Sequence, residues 1–198
     1  MTGEISGRLK LIPGLNRQVS KVQTSSGESL SGLMLNPQAS VKLVMIGKEK
    51  QPLFVVDDLI LQPERLVDFA CDENTGFSED ETDFYPGVRK LLPQDYSGLI
   101  SQFSHSLLLS YLDATQNMGI SITLSALSIT QQNPESLIPI QCIPHFDTCD
   151  IQQWAVVHFL CTQKYGGTGF FRHRQSGFET ITQDRKKRYT RILTDEAH

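Results

Sequence analysis

From Ile120 to Ala126 apolar and polar residues alternate without interruption, with Ile120, Ile122, Leu124 and Ala126 set against Ser121, Thr123 and Ser125. A period of two predicts a strand with one face buried. Trp154 to Cys161 (Trp-Ala-Val-Val-His-Phe-Leu-Cys) is a β-rich apolar run ended by a turn at Gln163–Gly167, and a further aromatic strand is predicted from Thr168. Val41–Ile46 predicts another strand, turned by Gly47-Lys48-Glu49-Lys50 into Phe54-Val55-Val56. Two segments carry helical spacing instead. One begins at Pro63, a residue suited to a first helical turn, and would bury Leu66, Val67, Phe69 and Ala70. The other begins near Pro93 and places Leu99, Ile100, Phe103, Leu107, Leu108, Tyr111 and Leu112 on one side.

These elements predict one domain over residues 1–198. Residues 1–39 mix Gly, Ser, Asn, Gln and Pro and read as an irregular N-terminal segment. Residues 72–83 read as an acidic loop, and 183–198 as a polar C-terminal tail or solvated helix. Helices followed by strands predict an α+β arrangement, two helices bracing one face of a β-sandwich or open barrel. A chain of 198 residues with 39% hydrophobic content can build one core.

Charge narrows the function classes. A net charge of −4 gives no general attraction to nucleic acid, and the basic run Arg185–Arg191, beside Asp184, reads as a solvated face. No apolar segment near the N-terminus resembles a signal peptide and no stretch approaches a membrane span. The four cysteines, Cys71, Cys142, Cys149 and Cys161, form no C-x-x-C pair, which predicts thiols in a reducing, cytoplasmic setting. Cys142 and Cys149 flank a histidine, but at no standard zinc spacing.

That histidine opens the chemistry. In an extended strand His145 and Asp147 project to one side while Phe146 points to the other, so an imidazole and a carboxylate converge. Such a pair supplies two of the three ligands of a facial triad on non-haem Fe(II). Pro144-His145-Phe146-Asp147, the apolar strand after it, and Gly166-Gly167-Thr168-Gly169-Phe170-Phe171-Arg172-His173-Arg174, together with Tyr85-Pro86-Gly87-Val88-Arg89, form one pattern. The pattern resembles the 2-oxoglutarate and Fe(II)-dependent oxygenases, in particular the prolyl-hydroxylase-like branch and a functionally uncharacterised bacterial family placed with it.

The resemblance covers roughly residues 52–180 and implies a double-stranded β-helix (jelly-roll or cupin-like), with Fe(II) and 2-oxoglutarate as cofactors and a small-molecule or peptide substrate to be hydroxylated. It implies His145 and Asp147 as metal ligands. The superfamily's pattern also has a late-strand histidine and, beyond it, an Arg or Lys for the 2-oxoglutarate carboxylate, and no match to either follows Ile181. The expectation is therefore a shortened, incomplete β-helix or a third ligand from an unusual place. His173 is the nominated third ligand, flanked by Arg172 and Arg174 as the nominated carboxylate partners, and His158 and His198 are weaker candidates. Thr148 and Gln152 are nominated to support the ligands; Tyr85, Arg89 and Tyr96 are further polar candidates near the pattern. An incomplete barrel exposes strand edges, from which either self-association as a homo-oligomer or marginal stability of the chain alone is expected. The alternative function is a non-catalytic or accessory binding module that lacks the full triad.

Overall fold

The computed structural model describes residues 2–13, 30–72, 76–79, 84–112 and 118–196. In chain order the elements are strands β1 (Thr2–Pro13), β2 (Ser40–Ile46) and β3 (Gln51–Asp57), helix α1 (Glu64–Cys71), strand β4 (Gly87–Leu91), helix α2 (Gln94–Leu112), strands β5 (Met118–Thr130) and β6 (Gln153–Phe159), and helix α3 (Gln183–Glu196). Four of the strands form one sheet in the order β4-β5-β1-β6, every pair antiparallel, and β2 and β3 form a separate hairpin. The described elements make an α+β arrangement.

The first strand corrects the irregular reading of the N-terminal segment for residues 2–13 alone, while residues 14–29 of that segment lie outside the described residues. Thr2–Pro13 lies inside the sheet, pairing with β5 along its full length and with β6 from Glu4 to Lys10. Its apolar positions, Ile5, Leu9 and Leu11, are interrupted by Gly7, so local pattern is weak and pairing with distant strands decides the structure. Arg8 stands opposite Leu124 and Leu9 opposite Ile122, leaving Thr123 as the extra residue of a bulge. Lying between β4 and β1, β5 is covered more fully than its alternation predicts: Ser121, Ser125 and Ser128 are buried as well as Ile120, Ile122 and Ala126.

Two apolar clusters hold these layers. Leu66 and Phe69 of α1 meet Leu92, just before α2, and Tyr96 and Ile100 within it, with Leu127 of β5 in the same cluster. Leu108, Ile120 and Ile122 form the second cluster, against which Phe54 of the hairpin and Trp154 of β6 pack. Val67, expected on the buried side of α1, is exposed. Lys90 of β4 is the reverse case: its ammonium is buried, donates to the Phe69 carbonyl at 2.5 Å and lies 4.1 Å from the Phe69 ring centre. A cation at the C-terminal end of α1 meets the negative end of the helix dipole.

A second polar contact in the core joins α2 to β6. The Tyr96 hydroxyl lies 3.1 Å from His158 Nδ1, with the two rings stacked at 6.3 Å. Burial favours the neutral form of both groups, pushing the phenol up and the imidazole down. His158 is thereby committed to the core. Beyond β6 the chain runs irregularly through residues 166–173, so the strand expected from Thr168 is not formed there. Gly166 adopts φ +92°, a left-handed conformation that breaks extended structure, and Phe170 and Phe171 stand exposed. Replacing Tyr96 by Phe leaves the half-buried His158 nitrogen without its partner, and urea unfolding is expected to show a loss of about 1 kcal/mol with the slope unchanged.

Candidate functional site

The segment between β5 and β6 is built from short local turns. The Asn133 side chain accepts the Glu135 N–H at the head of a single 3-10 turn (Pro134–Ser136), and a second follows at Pro139–Gln141. Gln141 Nε2 donates to the Phe84 carbonyl, tying this segment to the approach of β4. Further on, Thr148 Oγ1 accepts the Asp150 N–H and the Asp150 carboxylate accepts the Gln152 N–H, which aims the chain into β6. Thr148 therefore shapes a turn, and Gln152 contributes its backbone.

His145 and Asp147 lie on this loop instead of on a strand. Their side chains nevertheless converge, with Nε2 and Oδ1 3.9 Å apart. The histidine side chain is 82% exposed and the aspartate 32%, so the pair opens to solvent. Phe146 turns to the Tyr189 ring of α3, at 5.9 Å between centres, and this contact anchors the loop. An open depression of about 470 Å³ lies alongside, with Asp147, Cys149 and Asp150 on one wall and Gln183 and Lys186 of α3 on the other.

His173 also meets Tyr189, edge-on to that ring at 5.1 Å. Both its nitrogens have partners: Nδ1 lies 2.9 Å from Ser176 Oγ and Nε2 lies 3.1 Å from Glu196. Backbone hydrogen bonds from His173 to Phe178 and from Gly177 to His173 close the turn that carries it. Among the described residues no third His, Cys, Asp or Glu joins His145 and Asp147 in a group able to hold a metal. The nominated third ligand is thus placed as a packing and pairing residue beside α3. Arg172 is engaged with the Glu179 carboxylate, Nε at 2.6 Å, and Arg174 lies exposed in the following turn. Arg89 stacks over the Tyr85 ring at 4.4 Å, and the Tyr85 hydroxyl contacts Thr130 at 3.1 Å. His198 and residues 73–75 and 80–83 of the acidic loop lie outside the described residues.

Residues 37–198 match a family described as a family of unknown function, DUF6445. The chain belongs to the DUF6445 family. Both the His145 loop and α3 fall inside the matched span, whereas β1 precedes it. No curated protein and no solved structure matches the chain. Among the described residues no helix is long and apolar enough to cross a membrane.

What positions α3 and the His173 turn in this DUF6445 chain is a reciprocal pair of glutamates with no signature in the sequence. The Glu179 carboxylate accepts the N–H groups of Lys48 and Glu49 at 3.0 and 2.8 Å, at the turn between β2 and β3. The Glu49 carboxylate reaches back, accepting the N–H groups of Glu179 and Thr180 at 3.4 and 3.1 Å. Arg172 pairs with Glu179 and Arg185 with Glu49, so two cations offset two anions. Gly47, at φ +70°, lies so close that a β-carbon would collide with the Glu179 carboxylate.

Hydrogen bonds from Glu49 and Lys48 N–H, then Arg172, hold the Glu179 carboxyl down at about 2. Burial opposes ionisation of Glu49, but Arg185 and the donors of the turn outweigh it and its pKa is also lowered. A carboxyl whose folded pKa is depressed stabilises above its ordinary value and loses that contribution as pH falls through the folded value. Wild type is accordingly expected to be more stable than Glu179→Gln at pH 7. The difference should vanish between about pH 4.5 and about pH 2, in paired thermal melts across that range.

Proposed function

We propose that this chain is an oxygenase-type domain that takes Fe(II) through His145 and Asp147, uses 2-oxoglutarate, and hydroxylates a small molecule or a peptide. In this reading the four-stranded sheet is one wall of a double-stranded β-helix. The observation that carries the reading is the 3.9 Å approach of an imidazole nitrogen and a carboxylate oxygen on an open loop. Two donors at bond lengths of about 2.0–2.2 Å each can share one ion from that separation with only small side-chain rotation. The motif residues support it as well, since Pro144-His145-Phe146-Asp147 and the Gly-Gly-Thr-Gly-Phe-Phe-Arg-His-Arg segment are those of the resemblance.

Fe(II) with 2-oxoglutarate and O₂, when bound, supplies oxidation of an unactivated C–H bond coupled to decarboxylation of the oxo acid. The chain's own part is more limited. His145 offers a neutral nitrogen and Asp147 an anionic oxygen, a donor set suited to Fe(II) or Mn(II). Phe146, seated on Tyr189, keeps both donors on one side of the loop. His145 and Asp147 would take two positions of a facial triad, and among the described residues no third His, Cys, Asp or Glu stands with them.

A second reading has its own observation. His173 has Ser176 and Glu196 as partners, which favours an accessory module whose loop serves in binding alone. Calorimetric titration with Mn(II), the redox-quiet substitute, separates the two. The oxygenase reading expects heats from wild type that disappear in His145→Ala and in Asp147→Ala, because one remaining ligand holds a divalent ion poorly. Both side chains lie on a surface loop, so circular dichroism is expected to be unchanged. Equal weak heats from all three proteins would leave the accessory module standing and remove the metal site.

A further inference from the structure

The turn that carries His173 is closed by two backbone hydrogen bonds, the His173 N–H donating to the Phe178 carbonyl and the Gly177 N–H to the His173 carbonyl, each at 2.8 Å. Gly177, at φ +73°, supplies the left-handed residue that such a reversal needs. Ser176 is thereby folded back to the His173 ring. Its Oγ lies 2.9 Å from Nδ1, and its backbone N–H donates to the same nitrogen at 3.3 Å. A backbone N–H only donates, so Nδ1 carries a lone pair and no proton. The Ser176 Oγ–H then donates to Nδ1, and the proton of the imidazole sits on Nε2, where the Glu196 carboxylate accepts it at 3.1 Å.

A hydroxyl facing the lone pair of an imidazole whose other nitrogen is held by a carboxylate is the arrangement that activates a serine as a nucleophile. It is recognised by geometry and roles, whatever the chain order, and here the two ring nitrogens exchange the positions they hold in the commoner form. The Phe178 N–H donates to the Ser176 Oγ at 3.2 Å, which supports negative charge on that oxygen as its proton leaves. Glu196 and the Tyr189 ring, edge-on to the imidazole, both belong to α3, so the helix sets the orientation of the base. Ser176 is half-buried, and Arg174, Gln175 and Gly177 around it are exposed, so the hydroxyl stands at an open turn. The N–H groups of Arg174 and Gln175 take part in no hydrogen bond within this turn, which makes them the donors at hand for an oxygen that gains charge there.

We propose that Ser176, His173 and Glu196 form a second reactive site, which transfers the acyl group of an unhindered carboxylic ester to Ser176 and then to water. The Ser176 Oγ forms a bond to the ester carbonyl carbon as its proton passes to His173 Nδ1, and the carbonyl oxygen takes up the electron pair. Collapse of that intermediate breaks the bond to the alcohol oxygen, which receives the proton from Nδ1. Water, deprotonated by the same nitrogen, then attacks the acyl group and releases the acid, returning the proton to Oγ. An ester suits an open turn better than an amide does, because its alcohol leaves more readily than an amine. Glu196 touches no reacting atom; it is a positioning residue that keeps the proton on Nε2 and steadies the imidazolium. No step involves a metal, so the site stands independently of the His145–Asp147 reading.

The test is reaction of the full chain with phenylmethanesulfonyl fluoride in EDTA, followed by intact mass and peptide mapping. In that reaction Oγ bonds to sulfur, fluoride leaves and the hydroxyl proton passes to Nδ1. A single phenylmethanesulfonyl group on Ser176 is expected, together with loss of 4-nitrophenyl acetate hydrolysis by the modified protein. Ser176→Ala is expected to take up no group, and Ser106→Ala, at an exposed serine of α2, to react as wild type does. His173→Gln is expected to slow labelling about a hundredfold or more, the range of general-base catalysis. Glu196→Gln is expected to slow it about tenfold, with part of the rate recovered in Glu196→Asp. A carboxylate that only holds the fold would shift the thermal melt and leave the labelling rate of the folded protein unchanged, so melts accompany each rate. No adduct, an adduct spread over other serines, or equal labelling of Ser176 in wild type and in folded His173→Gln and Glu196→Gln would overturn the proposal.

Discussion

The reciprocal hydrogen bonding of Glu49 and Glu179 is the constraint on which the site's surroundings depend. Each carboxylate accepts backbone N–H groups from the other's segment, across about 130 residues of chain, and each is countered by an arginine. Backbone donors at the end of a tight turn cannot move independently, so the hairpin tip, the His173 turn and the start of α3 are fixed together. Charge-assisted bonds of this kind are about twice as strong as neutral ones, and four of them share two anions here. Fixing α3 fixes Tyr189, and Tyr189 is the surface on which Phe146 and His173 both rest. His145 stays on the open loop, and His173 is held by Ser176 and Glu196.

The sheet behind that assembly depends on a different economy. β1 occupies the middle, between β5 and β6, and brings the chain's start beside strands from its second half. Burial then extends to both faces of β5, where serines are tolerated because they are small and can satisfy their hydroxyls locally. The Tyr96–His158 contact works on the same principle, since two polar groups removed from water are acceptable only as a pair. At the sheet's far edge β6 presents Ala155, Val157 and Phe159 outward, and at the other edge β4 uses Lys90 to close the end of α1.

Much of the local structure was legible in the sequence. Helical spacing after Pro63 and Pro93 located α1 and α2, and strict alternation located β5, because these patterns arise from periods of the backbone itself. The convergence of His145 and Asp147 was legible too, although a loop rather than a strand brings it about. The polar stretch from Gln183 read as a solvated helix or tail; the burial of Tyr189 on one side of it was not part of that reading.

Only the tertiary structure decided the rest. β1 has a broken apolar pattern, and its strand character comes from partners far along the chain. The glutamate clasp joins two residues that look like ordinary surface acids in sequence. The strand expected from Thr168 was read from an aromatic run after a Gly-Gly turn; Gly166, at positive φ, stands just before that segment and Arg172 within it is tied to Glu179. His173 alternated correctly on paper, but its partners were set by α3, which no local period could place. Short-range periodicity determines which face an element buries; which neighbour covers that face, and which charges then meet, depends on contacts between residues far apart in the chain.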